Sequence, residues 1–276
     1  MIASFALSLA ISISSLIITP SVLPSNLSVL DLLNNYPANA AVQAEIASAS
    51  PVPAPMPQLV HPASLGVFNS VAISASRLPA ASKWRDVQRT DFSGLFGADC
   101  KTHGFVACET RFVVKVRAAT GKAAGMGERD MLDLVNKTVN GALEYRDDMR
   151  VWGVGDYWAT PAEMAQKGAG DCEDFAIAKY WALRSLGVRD EQLQIVVLQD
   201  TRRQLFHAVL VAHMAGGSYV LDNVSDRLLE DTDYTQYHPI LSFAGDKNFI
   251  HGFDEGRIDV AALPGDLSAI SPGLGM

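Results

Sequence analysis

Apolar positions recur at three- and four-residue intervals across residues 128–146. Met131, Val135, Val139, Ala142 and Leu143 form one stripe, which predicts an amphipathic helix. A glycine-interrupted aromatic stretch follows, Trp152-Gly153-Val154-Gly155-Asp156-Tyr157-Trp158. Thr160-Pro161-Ala162-Glu163 then predicts a short helix, with Thr160 as cap, Pro161 at the first helical position and Glu163 completing a capping box. Gly168 and Gly170 end it. Residues 173–186, EDFAIAKYWALRSL, predict another helix, stopped by Gly187. Its Phe175, Ile177, Trp181, Leu183 and Leu186 spread over more than one face, the pattern of a helix buried inside a domain. The period then changes, and LQIVVL (193–198), LFHAVLVA (205–212) and YVLDN (219–223) predict three strands. The connections Thr201–Gln204 and Met214–Gly217 are short, so the strands are expected to be antiparallel neighbours. A buried helix followed by an antiparallel sheet is an α+β layout.

The start of the chain has a different texture. Residues 2–19, IASFALSLAISISSLIIT, are apolar and uncharged, as in the core of a secretory signal or an N-terminal anchor. Ala38-Asn39-Ala40 supplies a small-residue cleavage pattern, although no Lys or Arg precedes the apolar run. Residues 48–64 hold five prolines, which remove backbone donors and mark a spacer. The expected organisation is a signal peptide or anchor over 1–40, a Pro-rich linker over 41–75, a folded domain over 76–262 and a loose tail over 263–276. Export to the periplasm, free or tethered, is the corresponding expectation.

Composition sharpens this division. The 276 residues carry a formal charge of −8 and are 49% hydrophobic and 19% charged. Residues 1–76 contain only Asp31 and Glu45, leaving all 22 basic and 28 of the 30 acidic groups to the other 200 residues. An acidic chain without a basic block argues against a nucleic-acid binder. No run after residue 40 is apolar and long enough for a membrane helix.

The three cysteines carry the candidate chemistry. Cys100 and Cys108 lie in DCKTHGFVAC and could pair in an exported protein; a zinc site is the weaker reading, because no CxxC spacing accompanies them. Cys172 is then the odd thiol. It lies in Gly168-Ala169-Gly170-Asp171-Cys172-Glu173-Asp174, at the entrance to the 173–186 helix. Free N–H groups and the helix dipole there favour a thiolate and could hold an oxyanion. Asp171, Glu173 and Asp174 push the other way, so a histidinium or a cation must offset them. By position alone, a buried structural cysteine is an equally good reading.

His207 is the available base, and Asp222 on the next strand shares its parity, so both face the same side of the hairpin. A turn centred between Met214 and Ala215 would set the two opposite each other, and this register is predicted. A Gly216-Gly217 turn would instead place Asp222 opposite Val211. Cys172, His207 and Asp222 can serve as nucleophile, base and orienter. The acidic residues beside Cys172 offer oxygen ligands suited to Ca²⁺, yet from the residues alone helix-capping carboxylates are the commoner case. Trp158 has an indole N–H that could reach an oxyanion; a buried loop aromatic is the commoner case there.

The run Trp158-Ala159-Thr160-Pro161…Gly170-Asp171-Cys172-Glu173-Asp174-Phe175-Ala176, with His207 and Leu221-Asp222-Asn223 downstream, resembles the bacterial transglutaminase-like cysteine proteinases. The resemblance extends over residues 84–253 and is strongest to the periplasmic type that processes biofilm adhesins. It implies a papain/transglutaminase-like core, with the buried Cys-bearing helix packed on an antiparallel sheet, and a Cys172-His207-Asp222 triad. It also implies Ca²⁺ bound by Asp171, Glu173 and Asp174, which reverses the capping reading. The implied substrate is a large surface adhesin, cut near its N-terminus at paired alanines. The implied restraint is an inner-membrane receptor that senses cyclic di-GMP. The alternatives are a transglutaminase or cell-wall amidase using the same triad, and a catalytically inactive calcium-binding interaction module.

Overall fold

The computed structural model describes residues 65–253, apart from 77 and 79, together with 267 and 270–273. The expected leader and most of the Pro-rich stretch lie outside the described residues. The described residues all belong to one compact unit, Leu59–Met276.

Nine strands and seven α-helices follow one another among the described residues. The first half holds β1 (Val71–Ser74), α1 (Ala81–Gln88), α2 (Ser93–Phe96), a 3₁₀ turn (Val106–Glu109), α3 (Arg111–Ala123) and α4 (Glu128–Asn140). Then come β2 (Glu144–Tyr145), α5 (Asp148–Val151), α6 (Pro161–Lys167), β3 (Ala169–Gly170) and α7 (Cys172–Ser185). The second half is β4 (Leu193–Asp200), β5 (Leu205–Met214), β6 (Gly217–Leu221), β7 (Leu229–Glu230), β8 (Tyr237–Ala244) and β9 (Lys247–Gly252). Seven strands form one sheet in the order β1-β9-β8-β4-β5-β6-β7, and β2 and β3 form a separate pair. Every pairing in the large sheet is antiparallel. The fold is therefore α+β, as expected, with the buried helix α7 laid on the sheet.

Burial explains the hydrophobic pattern. Every residue of α7 from Cys172 to Leu183 is buried, because α2, α4 and α6 cover it on one side and β4 and β5 on the other. Ile177, Leu183, Ile195, Leu210 and Phe243 belong to this main core. A second, smaller core lies across the sheet, where Val196, Leu198, Val209 and Val211 meet Phe68, Tyr234 and Tyr237. The central strands β4 and β5 are thus covered on both faces, which is why they read as continuous apolar runs rather than alternating ones.

Several boundaries differ from expectation. The helix predicted over 128–146 ends at Asn140, because the chain turns at Gly141 and then pairs β2 in parallel with β3. Strand β6 begins and ends two residues earlier than predicted. Strands β8 and β9 were not predicted. Pro239 lies within β8, and a proline normally counts against a central strand. Here it faces Leu198, where the β4–β8 register shifts, and the irregularity accommodates the missing N–H. Residues 71–74, assigned to the linker, pair with β9, and Ile270, assigned to a loose tail, is buried in the main core. Cys100 and Cys108 are joined in a disulfide with Cα atoms 5.9 Å apart.

Candidate active site

The entry into α7 is built by short-range rules. Gly168 ends α6 at φ +67°, in the left-handed region that glycine favours. At Gly170 a Cβ would come within 2.5 Å of Asp174 Oδ2, so only glycine lets the chain pass this close to the helix start. Asp171 is the N-cap residue and Cys172 opens the first turn. Asp174 Oδ1 accepts the Ala159 N–H at 2.8 Å, and its Oδ2 accepts the Asp171 N–H at 3.3 Å. Asp174 therefore ties the Trp158-Ala159 loop to the helix entrance.

The Cys172 thiol donates to Glu173 Oε2 at 3.3 Å. Burial lifts its pKa well above the ordinary thiol value, and the Glu173 and Asp171 carboxylates add to this. The Ala208 backbone N–H, next to His207 on β5, acts in the opposite direction. The helix that Cys172 opens packs directly on β5, the strand that carries the candidate base.

His207 and Asp222 meet, but not in the register predicted. Met214 pairs with Gly217 and Leu210 with Leu221, so the turn is Ala215-Gly216, midway between the two alternatives considered. Asp222 follows Leu221 and lies diagonal to His207 rather than opposite it. A shift of two residues preserves the face, so Val220 and Leu221 stay in their respective cores and turn geometry alone sets the pairing. The side chains span the diagonal, with His207 Nε2 2.9 Å from Asp222 Oδ1. Tyr237 Oη donates to Asp222 Oδ2 at 2.6 Å, and the Val224 N–H donates to Oδ1 at 3.0 Å. Burial alone would raise the Asp222 pKa, but His207, Tyr237 and Val224 outweigh it and hold the carboxyl well below its usual range. With Nε2 committed to Asp222, Nδ1 is the ring nitrogen available to exchange a proton. Cys172, His207 and Asp222 are each about 1% exposed, so all three lie in a water-poor setting.

Trp158 is buried edge-on to Phe243, and its indole N–H has no partner among the described residues. It remains a free donor beside the loop that Asp174 holds.

The acidic cluster is larger than the sequence suggested. Asp171, Cys172 and Glu173 bring ligand atoms within 4.8 Å of one another, as do Asp148, Asp171 and Asp174, and also Asp148, Asp156 and Glu173. Asp148 and Asp156 were not singled out by sequence reasoning. Asp156 lies in the Gly153–Trp158 loop, where the glycines and aromatics drew attention, and Asp148 is one of two adjacent aspartates at the start of α5. Asp148 Oδ1, Asp156 Oδ1, Asp171 Oδ1 and Glu173 Oε1 are all buried without a hydrogen-bond partner among the described residues. Burial, with repulsion between neighbouring carboxylates, pushes Asp148 up to about 6 and Asp171 up to about 7. Glu173 and Asp174 are pushed well up for the same reasons. Four orphaned carboxylate oxygens in one buried cluster fit a hard cation such as Ca²⁺, which takes six to eight oxygen ligands.

A thiol at the N-terminus of a helix that packs on the strand of an Asp-bonded His is the arrangement of a cysteine hydrolase. Residues 102–244, just over half of the chain, match the family described as bacterial transglutaminase-like cysteine proteinase BTLCP, and the chain belongs to that family. It is accordingly a cysteine proteinase by family. Among solved structures it is similar to Legionella pneumophila LapG at 23% identity, over 64% of this chain and 90% of that one, with a TM-score of 0.45. The calcium-bound form of that protein aligns at 22% identity over 66% and 94% of the two chains, with a TM-score of 0.46. The EGTA-treated form aligns at 22% identity over 70% and 92%, with a TM-score of 0.45. No curated protein sequence matches the chain.

Proposed function

We propose that the protein is a calcium-dependent periplasmic cysteine endopeptidase that cleaves a large surface adhesin near its N-terminus and so controls biofilm attachment. The observation that carries the peptidase chemistry is the placement of Cys172 at the start of α7, which packs on the β5 strand of His207, whose ring Asp222 holds at 2.9 Å.

His207 takes the thiol proton, and Asp222 stays ionised and keeps the imidazole oriented. The Cys172 sulfur attacks a peptide carbonyl. The backbone N–H of Cys172, unpaired in the first helical turn, and the Trp158 indole N–H stabilise the oxyanion. His207 returns the proton to the leaving amine, leaving a thioester on Cys172. It then takes a proton from water, which hydrolyses the thioester and frees the thiol. Calcium held by Asp148, Asp156, Asp171 and Glu173 would supply the positive charge that lets these carboxylates ionise without raising the thiol pKa further. Asp174, expected as a third ligand, instead braces the cluster, because its oxygens accept the Ala159 and Asp171 N–H groups.

The Cys100–Cys108 disulfide supports export to an oxidising compartment, in keeping with the uncharged apolar residues 2–19. The adhesin substrate, its paired-alanine cut site and restraint by an inner-membrane cyclic-di-GMP receptor follow from the resemblance of the Gly170–Ala176 block. The test is incubation of the N-terminal fragment of a co-encoded adhesin with purified protein, with and without a calcium chelator. Cleavage that needs calcium and disappears in Cys172→Ala is expected; cleavage unchanged in that variant rules the reading out. Incorporation of a labelled amine in place of hydrolysis would identify a transglutaminase instead.

A further inference from the structure

We infer that the segment Ile270–Gly273 acts as a strap that occupies the peptide-binding edge beside Cys172. The inference rests on reading Cys172 as the nucleophile. Strand β6 pairs with β5 only from Leu210 to Met214, so Leu205–Val209 have no β6 partner on that side. An unpaired strand edge is a template for an extended peptide, which adds to it through main-chain hydrogen bonds.

Two observations show what lies along this edge. Ala208 lies on this edge, and its N–H is among the groups that lower the Cys172 pKa. The Phe206 carbonyl accepts the Gly273 N–H at 2.9 Å. Residues two apart on a strand present their N–H and C=O to the same edge, so the Ala208 N–H and the segment share it, about 7 Å apart by the rise of the strand.

The fit at Gly273 is close. Its φ is +81°, and a Cβ there would come 3.2 Å from Asp171 Oδ2 and 3.5 Å from the Tyr145 hydroxyl. Asp171 is the residue that precedes Cys172, and its carboxylate belongs to the same close cluster as the sulfur. The segment therefore passes between the helix entrance and β5, where a substrate backbone would have to lie. It is anchored there, since Ile270 is buried in the main core and Pro272 is also buried. Glycine is the residue that fits, because a side chain is strained at this positive φ and its Cβ would crowd Asp171 Oδ2.

A strap closed about 90% of the time would slow access to the thiol about 10-fold. The experiment measures the rate of Cys172 alkylation by iodoacetamide at saturating calcium. It compares the full chain, the chain cut after Ala262, and the full-length Gly273→Ile variant. The cut chain and Gly273→Ile should both label about 10-fold faster, and a synthetic peptide of residues 267–276 should slow the cut chain again. Equal rates in Gly273→Ile and the parent overturn the proposal. That variant keeps Ile270 in the core, so it decides the matter if the cut chain does not fold. Labelling reads access rather than hydrolysis. Faster labelling in a protein that cleaves nothing would keep the strap and sink the peptidase, whereas an active peptidase with unchanged labelling would do the reverse.

Discussion

Tyr237 Oη donates a 2.6 Å hydrogen bond to Oδ2 of Asp222, while the other oxygen of that carboxylate holds His207 Nε2 at 2.9 Å. The phenol thus fixes the plane of the carboxylate that fixes the plane of the imidazole. Tyr237→Phe removes the hydroxyl and keeps the ring, which also packs on Tyr234 and Phe68. We expect kcat to fall about 10-fold with KM unchanged, since the loss acts on orientation in the transition state rather than on substrate binding. Steady-state kinetics on a cleavable peptide checks this, and a change confined to KM would contradict it.

The proposed calcium binding should depend on pH. Asp148 and Asp171 are raised to about 6 and about 7 in the folded chain, against an ordinary value of 3.8. Between pH 4 and pH 7 the metal-free folded state therefore binds more protons than the unfolded state, and its stability falls as pH rises through that window. A cation can replace those protons. The difference in Tm between calcium and chelator should be small near pH 5 and large near pH 7.5. Thermal melts across that range would show it, and a constant difference would count against a shared carboxylate site.

Lys179 lies two turns beyond Cys172 on α7, fully buried, and its ammonium has no hydrogen-bond partner among the described residues. The only ring it approaches among the described residues is Phe175, at 5.9 Å. Burial lowers its pKa from 10.5 to about 7, although Asp222 and Asp226 oppose the shift. Between pH 7 and pH 10 the unfolded chain holds a proton that the folded chain has lost, so this cost to stability is greatest below pH 7 and fades as pH rises. Lys179→Met keeps the apolar stem and removes the charge. It should stabilise the protein by about 1–3 kcal/mol at pH 7, with a smaller gain at pH 9.5. Denaturant titrations at the two pH values measure the change.

The disulfide and the thiol should separate cleanly. Replacing Cys100 and Cys108 with serine opens a loop with a sequence separation of 8 and should cost about 2–3 kcal/mol. Activity per folded molecule should be unchanged, because neither sulfur belongs to the Cys172 cluster. A chain that keeps its stability but loses activity would mean that the bridge shapes the active site.

Much of the fold was legible because local rules agreed with the final structure. The capping box of Thr160 and Glu163, the glycine stop at Gly168 and the antiparallel order of β4, β5 and β6 all formed as predicted. Strand β8 was hidden by Pro239, whose tolerance depends on a register shift that only its partner strand reveals. Strand β1 was hidden because four residues beside a Pro-rich stretch show no periodicity until β9 provides an edge.

Sequence alone determined which residues could do chemistry: an odd thiol at a helix entrance, and a His and an Asp whose strand parity put them on one face. Parity survives a two-residue slip, so that conclusion held although the predicted register did not. Tertiary structure decided what pairwise spacing cannot encode. It brought Asp148 and Asp156 from separate segments to the carboxylates beside Cys172, and it set Tyr237 against Asp222. It also laid Gly273 along the open edge of β5. Each of these contacts joins groups whose attraction or repulsion acts through a few ångströms of buried space, and only the packing of α7 on the sheet makes that space.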